Sequence, residues 1–113
     1  MSATAFKLNP LEIRQNLHLS RERLGGILHV SAKTLERWEK RNEIPNRDAV
    51  RDFARIREIA DLAAQIYTPV CVETFLSTPL PAFDGRTALD LMGLGDYDRV
   101  LAALAADYEG LGT

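Results

Sequence analysis

The sequence predicts an all-α fold, and three observations lead to that class. Apolar residues recur at spacings of three and four along most of the 113-residue chain, which is the period of an amphipathic helix. Residues that commonly cap helices, such as Ser, Thr and Asn, precede several of these segments. No stretch alternates apolar and polar residues convincingly enough to predict a strand. We expect an N-terminal helix bundle, a long connecting helix and a small C-terminal helical domain.

The composition narrows the class of protein further. With 46% hydrophobic and 27% charged residues, the chain has an ordinary globular composition. Its one cysteine, Cys71, excludes an internal disulfide framework, and we expect it to be a small buried hydrophobic residue. Two scattered histidines suggest no metal cluster, so neither a metal nor a cofactor is expected. The lack of a signal peptide or a bilayer-length apolar run favours a cytoplasmic location.

The net charge of −2 hides an asymmetry between the two halves. Residues 1–57 carry 12 Lys/Arg against 7 Asp/Glu, a net charge of +5, whereas residues 58–113 carry 2 against 9, a net charge of −7. A basic half suits a polyanion, and an acidic half would repel one. The second half is therefore predicted to face a different kind of partner.

The N-terminal segment begins without a periodic pattern, so residues 1–8 are predicted to be a flexible arm. Asn9 is a candidate N-cap, Pro10 suits the first helical position, and the first helix is predicted to run to about His18. Its core candidates are Leu11, Ile13 and Leu17.

Two short helices joined by a tight turn are predicted next, with Ser20 and Ser31 as their N-caps. The second helix places Leu35 and Trp38 on an inward face. Its opposite face is basic and carries Lys33, Arg37 and Lys40. A short helix with a basic outer face fits the major groove of DNA.

This stretch also follows a family pattern at fixed spacing. The matching residues are Leu19, Ser20, Leu24, Ile27 or Leu28, Val30, Ser31, Thr34, Leu35, Trp38, Glu39 and Pro45. The stretch thereby resembles the Xre-type helix-turn-helix of phage repressors and Cro. Gly25 stands where a small Ala is usual, and both His29 and Arg41 stand where Gly is usual. We therefore expect a close helix approach at Gly25 and a positive φ at His29.

The resemblance implies a DNA-binding domain over residues 9–57. We expect Ala32, Lys33 and Arg37 near base edges, with Thr34 and Glu36 assisting. The remaining predicted DNA contacts are Ser20, Arg21, Ser31, Arg41 and Arg47, of which all but Ser31 are assigned to phosphates. Arg14 occupies a position that often pairs with the glutamate after the aromatic, so we expect a partly buried Arg14–Glu39 pair. Specific binding is expected to need a homodimer on a palindromic operator.

The connecting helix is predicted to follow Asn46 and to reach Tyr67. Its apolar stripe contains Val50, Phe53, Ala54, Ile56, Ile59, Ala60, Ala63 and Ile66. Thr68-Pro69 starts a short helix, residues 77–86 form a loop, and Thr87 caps another short helix over residues 88–92. The last helix follows Gly95-Asp96, with Gly110 predicted at its C′ position.

A second family pattern covers residues 73–110. The matching residues are Phe75, Leu76, Pro79, Phe83, Gly85, Thr87, Leu89, Gly95, Val100, Leu104 and Gly110. Ala88 stands where Pro is usual, and Phe75 stands where Trp is common. The region resembles the toxin-binding domain of Xre/MbcA/ParS-type antitoxins, which implies a C-terminal toxin-binding domain over residues 58–113.

The second resemblance implies a partner, a RES-domain toxin that consumes NAD. In such pairs the C-terminal segment of the antitoxin enters the NAD cleft, so inhibition is by occlusion. The implied toxin-binding residues are Asp107, Tyr108, Glu109, Gly110, Leu111, Gly112 and Thr113. Their acidic groups would face cationic groups that otherwise hold the phosphates of NAD. Tyr108 is expected to anchor the interface, the alternative being a core residue beside a disordered tail.

The leading hypothesis is therefore an antitoxin of a type II toxin-antitoxin system that neutralises its toxin and represses its own operon. One alternative is a stand-alone Xre-type transcriptional repressor whose acidic domain only dimerises. Another is a protein-interaction module without DNA binding. An enzyme is not expected, because no nucleophile–base pair or phosphate-binding glycine loop accompanies the carboxylates.

Overall fold

The computed structural model describes residues 8–111, and the regular elements within this range are all helices, joined by short loops, with no strand. The all-α prediction is confirmed. The predicted arm, apart from Leu8, lies outside the described residues, as do Gly112 and Thr113. The α-helices are α1 Pro10–Asn16, α2 Arg21–Leu28, α3 Ala32–Arg41, α4 Arg47–Ile66, α5 Pro69–Ser77, α6 Ala88–Gly93 and α7 Tyr97–Leu111, with a 3₁₀ turn at Pro81–Phe83.

The helix starts follow from local capping chemistry. The side chains of five residues accept a hydrogen bond from the backbone N–H three positions later, which satisfies one of the unpaired donors of a first turn. These caps are Asn9, Ser20, Ser31, Asn46 and Thr87. Thr68 makes no such bond, and α5 begins there with Pro69 in its first turn.

Helix α4 is the element on which the two halves meet. It packs against α1 and α5, and it packs most extensively against α7. Arg55 pairs with Asp98 near the start of α7, and Tyr67 bonds Asp107 near its end, so the two helices run in the same direction. The buried residues of both halves form one cluster, in which the largest fully buried side chains include Leu24, Leu35, Phe53, Ile56, Ile59, Phe83, Leu91 and Leu104.

Two predicted core positions, Cys71 and Val50, are wrong. Cys71 is exposed, whereas Leu11, Ala54 and Ile66 are partly buried. Val50, assigned to the apolar stripe of α4, is 40% exposed. Successive residues of a helix point about 100° apart. Val72 and Ala49 take the inward positions, so their neighbours Cys71 and Val50 point toward solvent.

Two predicted helix ends also differ. α1 ends at Asn16, and His18 adopts a left-handed φ of 57° instead of continuing the helix. Gly110 lies inside α7, which continues through Leu111, so Gly110 is not the C′ residue. A glycine is permitted but not required to end a helix, and no positive φ occurs at Gly110.

Candidate binding surfaces

The turn between α2 and α3 is built around Gly25 and His29. A Cβ atom on Gly25 would lie 2.6 Å from the carbonyl oxygen of Val30, which confirms the predicted close approach. His29 is the C-cap of α2 and adopts φ 61°, ψ 40°, which confirms the predicted left-handed backbone. The Val30 N–H donates to the Gly25 carbonyl at 2.9 Å and closes the turn.

Glu39 holds α3 to α1 and α2. The predicted Arg14–Glu39 pair is present and bidentate, with Arg14 Nε 2.6 Å from Glu39 Oε2 and Arg14 Nη2 3.1 Å from Oε1. Arg21 Nε donates to the same Oε1 at 2.9 Å. Burial alone would raise the pKa of Glu39, but the hydrogen bonds and charges of the two arginines outweigh it and lower the pKa below its ordinary value.

The outer face of α3 carries the predicted base-contacting residues. Lys33 and Arg37 are exposed, and Ala32 and Thr34 are partly buried. Arg37 Nη2 lies 3.4 Å from Thr34 Oγ1, and the Thr34 hydroxyl also accepts from Ser31 Oγ at 3.0 Å. Glu36 forms an ion pair with Lys40 at 3.3 Å. The arrangement presents two cations, Lys33 and Arg37, on one side of a helix.

The predicted phosphate contacts have different environments. Arg41 and Arg47 are exposed at the end of α3 and the start of α4. Arg41 remains helical because Asn42 takes the left-handed position with φ 52°, so the missing glycine causes no strain at Arg41. Ser20 caps α2, and Arg21 is held by Glu39 with 39% of its side chain exposed. Arg21 is therefore a structural ion-pair partner, a role that the predicted assignment had not included.

The C-terminal end of α7 carries the predicted toxin-binding residues. Tyr108 is 48% exposed, so the alternative that it is a core residue is wrong. Asp107 and Glu109 are exposed, but Asp107 also accepts a 2.5 Å hydrogen bond from the Tyr67 hydroxyl. Burial, together with the hydrogen bond to Asp107 and the charge of that carboxylate, raises the pKa of Tyr67 to about 12.

Two arginines brace α7, a feature that sequence reasoning missed. Arg99 Nη2 donates to the Ala82 carbonyl at 2.6 Å and lies 3.3 Å from Asp84, which ties the 77–86 loop to α7. Arg55 on α4 pairs with both Glu58 and Asp98. Arg99 is one of only two basic residues after position 57, and that isolation in an acidic region was the available signal.

Neither a metal site nor a membrane span is found in the part of the chain that the structure describes. Residues 8–111 contain no group of three or more His, Cys, Asp or Glu side chains placed to hold a metal ion. None of the helices in this range combines the length and the apolar character needed to cross a bilayer.

Comparison with known proteins shows which class of protein this chain resembles. Residues 71–110 match the model of the antitoxin Xre/MbcA/ParS C-terminal toxin-binding domain. The fold and this domain define a relative of the antitoxins of toxin-antitoxin systems. The resemblance to the Xre/MbcA/ParS-type antitoxins that was drawn from the sequence is therefore confirmed.

Relatives with known names and a solved structure show the same resemblance to antitoxins. The chain is 27% identical over 97 residues to the mycobacterial cidal antitoxin MbcA of Mycobacterium tuberculosis and of Mycobacterium bovis, with 86% of each sequence covered. It superimposes on a chain of the M. tuberculosis MbcT–MbcA toxin-antitoxin complex with a TM-score of 0.79. That match is 25% identical and covers 90% of this chain and 92% of the other.

Proposed function

We propose that this chain is the antitoxin of a type II toxin-antitoxin system. It binds a cognate NAD-consuming RES-domain toxin in the cytoplasm, occludes the toxin's active site with residues 107–113, and represses its own operon through the helix-turn-helix as a homodimer. It acts by binding and performs no catalysis. The observation that carries this proposal is the match of residues 71–110 to the model of a toxin-binding domain, in a chain that also holds the α2–α3 pair with its exposed cations.

The exposed end of α7 supports occlusion. Tyr108 places an aromatic ring in solvent between two carboxylates, Asp107 and Glu109. Aromatic residues are frequent hot spots, and carboxylates suit the cationic groups of a site that binds NAD phosphates. The bond from Tyr67 holds the last turn of α7 against the α4–α5 junction, so the segment is presented on a braced helix.

Co-expression with the proposed cognate RES-domain toxin tests neutralisation, with cellular NAD as the readout. We expect the full chain to preserve NAD and a chain ending at Glu109 to lose protection while still unfolding cooperatively. Removal of residues 1–7, a comparable change at the other end, serves as the control and should retain protection. Full inhibition by the chain that ends at Glu109 would contradict occlusion by the terminal segment.

A substitution at Tyr108 tests that side chain separately from the terminal residues 110–113. Tyr108→Ala should weaken toxin binding about tenfold or more if the ring is a hot spot. Val50→Ala truncates another exposed apolar side chain, 40% exposed and located on α4 outside residues 71–110, and should leave affinity unchanged. Isothermal titration with the purified toxin measures both values. Equal effects of the two substitutions would remove Tyr108 from the proposed interface.

DNA binding is supported by the exposed cations of α3. Lys33 and Arg37 lie on the side of α3 away from buried Leu35 and Trp38, as expected of a recognition helix. Binding to the DNA immediately upstream of the gene, measured against a scrambled duplex at fixed salt, tests this role. Arg37→Ala should lower operator affinity about tenfold and relax sequence preference. Arg41→Ala should weaken both duplexes equally, as expected for a phosphate contact.

These assays also separate the alternatives. A stand-alone repressor would bind the operator and fail to bind the toxin. An interaction module would bind the toxin and show no preference for the operator over the scrambled duplex. Light scattering at the concentrations used in the binding assays checks the proposed homodimer.

A further inference from the structure

A hydrogen bond connects the helix-turn-helix to the C-terminal domain. His29 Nε2 lies 2.9 Å from the carbonyl oxygen of Gly93, 64 residues away in sequence. His29 is the C-cap of α2, and Gly93 is the last residue of α6, inside the region that matches the toxin-binding domain. Because a carbonyl oxygen only accepts, Nε2 carries the proton in this contact.

The backbone at this position would favour a different residue. His29 has a positive φ of 61°, a conformation that glycine adopts without a steric penalty and that other residues adopt rarely. A histidine here is therefore disfavoured locally, and its side chain makes the long-range contact that a glycine could not make. His18, Asn42 and Asp84 also have a positive φ, so the bond to Gly93, and not the backbone conformation, is what distinguishes His29.

The contact lies beside a groove that separates the two halves. Helix α2 packs on α6, but an open groove of about 520 Å³ lies along this boundary. Residues that line it include Arg23, Gly26, Ile27, Leu89, Asp90 and Gly93. His29 is exposed, so its bond to Gly93 lies at the edge of the boundary and adds a polar contact where the groove leaves the packing of α2 on α6 incomplete.

We propose that His29 is a positioning residue that fixes the α2–α3 turn against the toxin-binding domain and couples toxin occupancy to DNA affinity. The coupling rests on the proposed function, whereas the positioning does not. Helix α3 begins at Ala32, three residues after His29, so a displacement of α6 reaches the recognition helix through Val30 and Ser31. In this scheme His29 contacts neither DNA nor toxin.

Three substitutions distinguish the effect of the His29–Gly93 hydrogen bond from the effect of backbone strain at position 29. His29→Gly removes both the side chain and the strain. His29→Asn tolerates the left-handed backbone, as Asn42 does here, but its amide is too short to replace Nε2. His29→Gln has the reach of Nε2 but tolerates the backbone less well. If the residue at this position affects only backbone strain, the fold should be more stable with Gly or Asn than with His or Gln. If its side chain positions the turn, the separation of the two halves should be better defined with His or Gln than with Gly or Asn.

A distance measurement tests positioning without toxin or DNA. Spin labels at Lys33→Cys on α3 and Ala105→Cys on α7, in a Cys71→Ser background, report the separation of the two halves by pulsed electron paramagnetic resonance. We expect a narrow distance distribution with His29 and His29→Gln, and a clearly broader one with His29→Gly and His29→Asn. Thermal unfolding verifies that each variant is folded. An unchanged distribution in the folded His29→Gly variant would overturn the proposal.

A second measurement tests coupling. Operator affinity is measured with and without saturating RES-domain toxin, and the ratio of the two values is the coupling factor. We expect a factor of about five or more, in either direction, for the unmodified chain and a factor close to one for His29→Gly. A factor near one in the unmodified chain, or an unchanged factor in His29→Gly, would overturn the coupling. If neither ligand binds at all, the proposed function fails and the distance measurement still decides the positioning role.

Discussion

At the scale of single residues, Glu39 is the polar group that joins α3 to α1 and α2. Its side chain is only 2% exposed, and the guanidinium groups of Arg14 and Arg21 occupy both of its oxygens. Removal of one partner of a buried pair leaves a charge without compensation, which costs far more than the loss of an exposed pair.

We expect Arg14→Met to lower the free energy of unfolding by about 3 kcal/mol, because Glu39 would remain buried with only Arg21 beside it. Lys40→Ala breaks the exposed Glu36–Lys40 pair and should cost about 0.5 kcal/mol or less. Urea denaturation followed by circular dichroism measures both. Similar costs for the two variants would mean that the Arg14–Glu39 pair contributes no more than a surface pair.

The lowered pKa of Glu39 also predicts a pH dependence. A carboxyl group whose pKa is lower in the folded than in the unfolded state stabilises the fold above its unfolded pKa, and this stabilisation is lost as the pH falls through the folded pKa. The loss should therefore occur below about pH 4.5, the ordinary value for glutamate. Arg14→Met should show a smaller acid-induced loss than the unmodified chain when unfolding is measured from pH 6 to pH 3. An identical pH profile for the two chains would contradict the role of Arg14.

At the scale of elements, α2 offers a matched pair of neighbouring glycines. Gly25 faces the turn, where an added Cβ would meet the Val30 backbone at 2.6 Å, whereas a Cβ on Gly26 would meet nothing within 4 Å. Both residues are helical, so both gain the same intrinsic helix propensity when replaced by alanine. The difference between the two substitutions therefore measures the close approach alone.

We expect Gly25→Ala to destabilise the fold by about 1–3 kcal/mol, because the backbone of the turn must move. Gly26→Ala should stabilise it by about 0.5–1 kcal/mol through helix propensity. Thermal unfolding of the two variants under identical conditions gives the sign of each effect. A stabilising Gly25→Ala would mean that the α2–α3 turn relaxes at little cost.

At the scale of the whole molecule, α4 joins the basic and acidic halves through a common core. Phe53 contacts Trp38 of α3 edge-on, with ring centroids 6.3 Å apart, while Ile56 and Ile59 are completely buried in the same helix. The predicted boundary between residues 57 and 58 falls inside α4. A core shared across that boundary is expected to unfold as one cooperative unit.

We expect Ile56→Ala to cost about 2–5 kcal/mol and to shift one unfolding transition that covers both halves. Val50→Ala, on the exposed side of the same helix, should change stability by about 0.5 kcal/mol or less. Amide hydrogen exchange resolved by residue follows α3 and α7 separately. Two transitions, with only one of them shifted by Ile56→Ala, would show that the halves unfold independently.

The sequence by itself determined the helical class, the capped helix starts, the two-helix turn, the long connecting helix and the Arg14–Glu39 pair. These features depend on short-range chemistry or on a motif with fixed spacing. A cap bonds three residues away, and an apolar stripe repeats every turn. Gly25 and His29 belong to the same group, since their backbone constraints follow from a turn of defined geometry.

Only the tertiary structure decided which side chains meet across long separations. Arg21 joins Glu39, Tyr67 bonds Asp107, and His29 reaches Gly93, and the partners are 18, 40 and 64 positions apart in the sequence. Tertiary packing also left Cys71 and Val50 facing solvent. The physical reason is that helical periodicity sets which residues share a face, whereas the packing of other helices sets how far around the helix burial extends and which polar groups come within bonding distance.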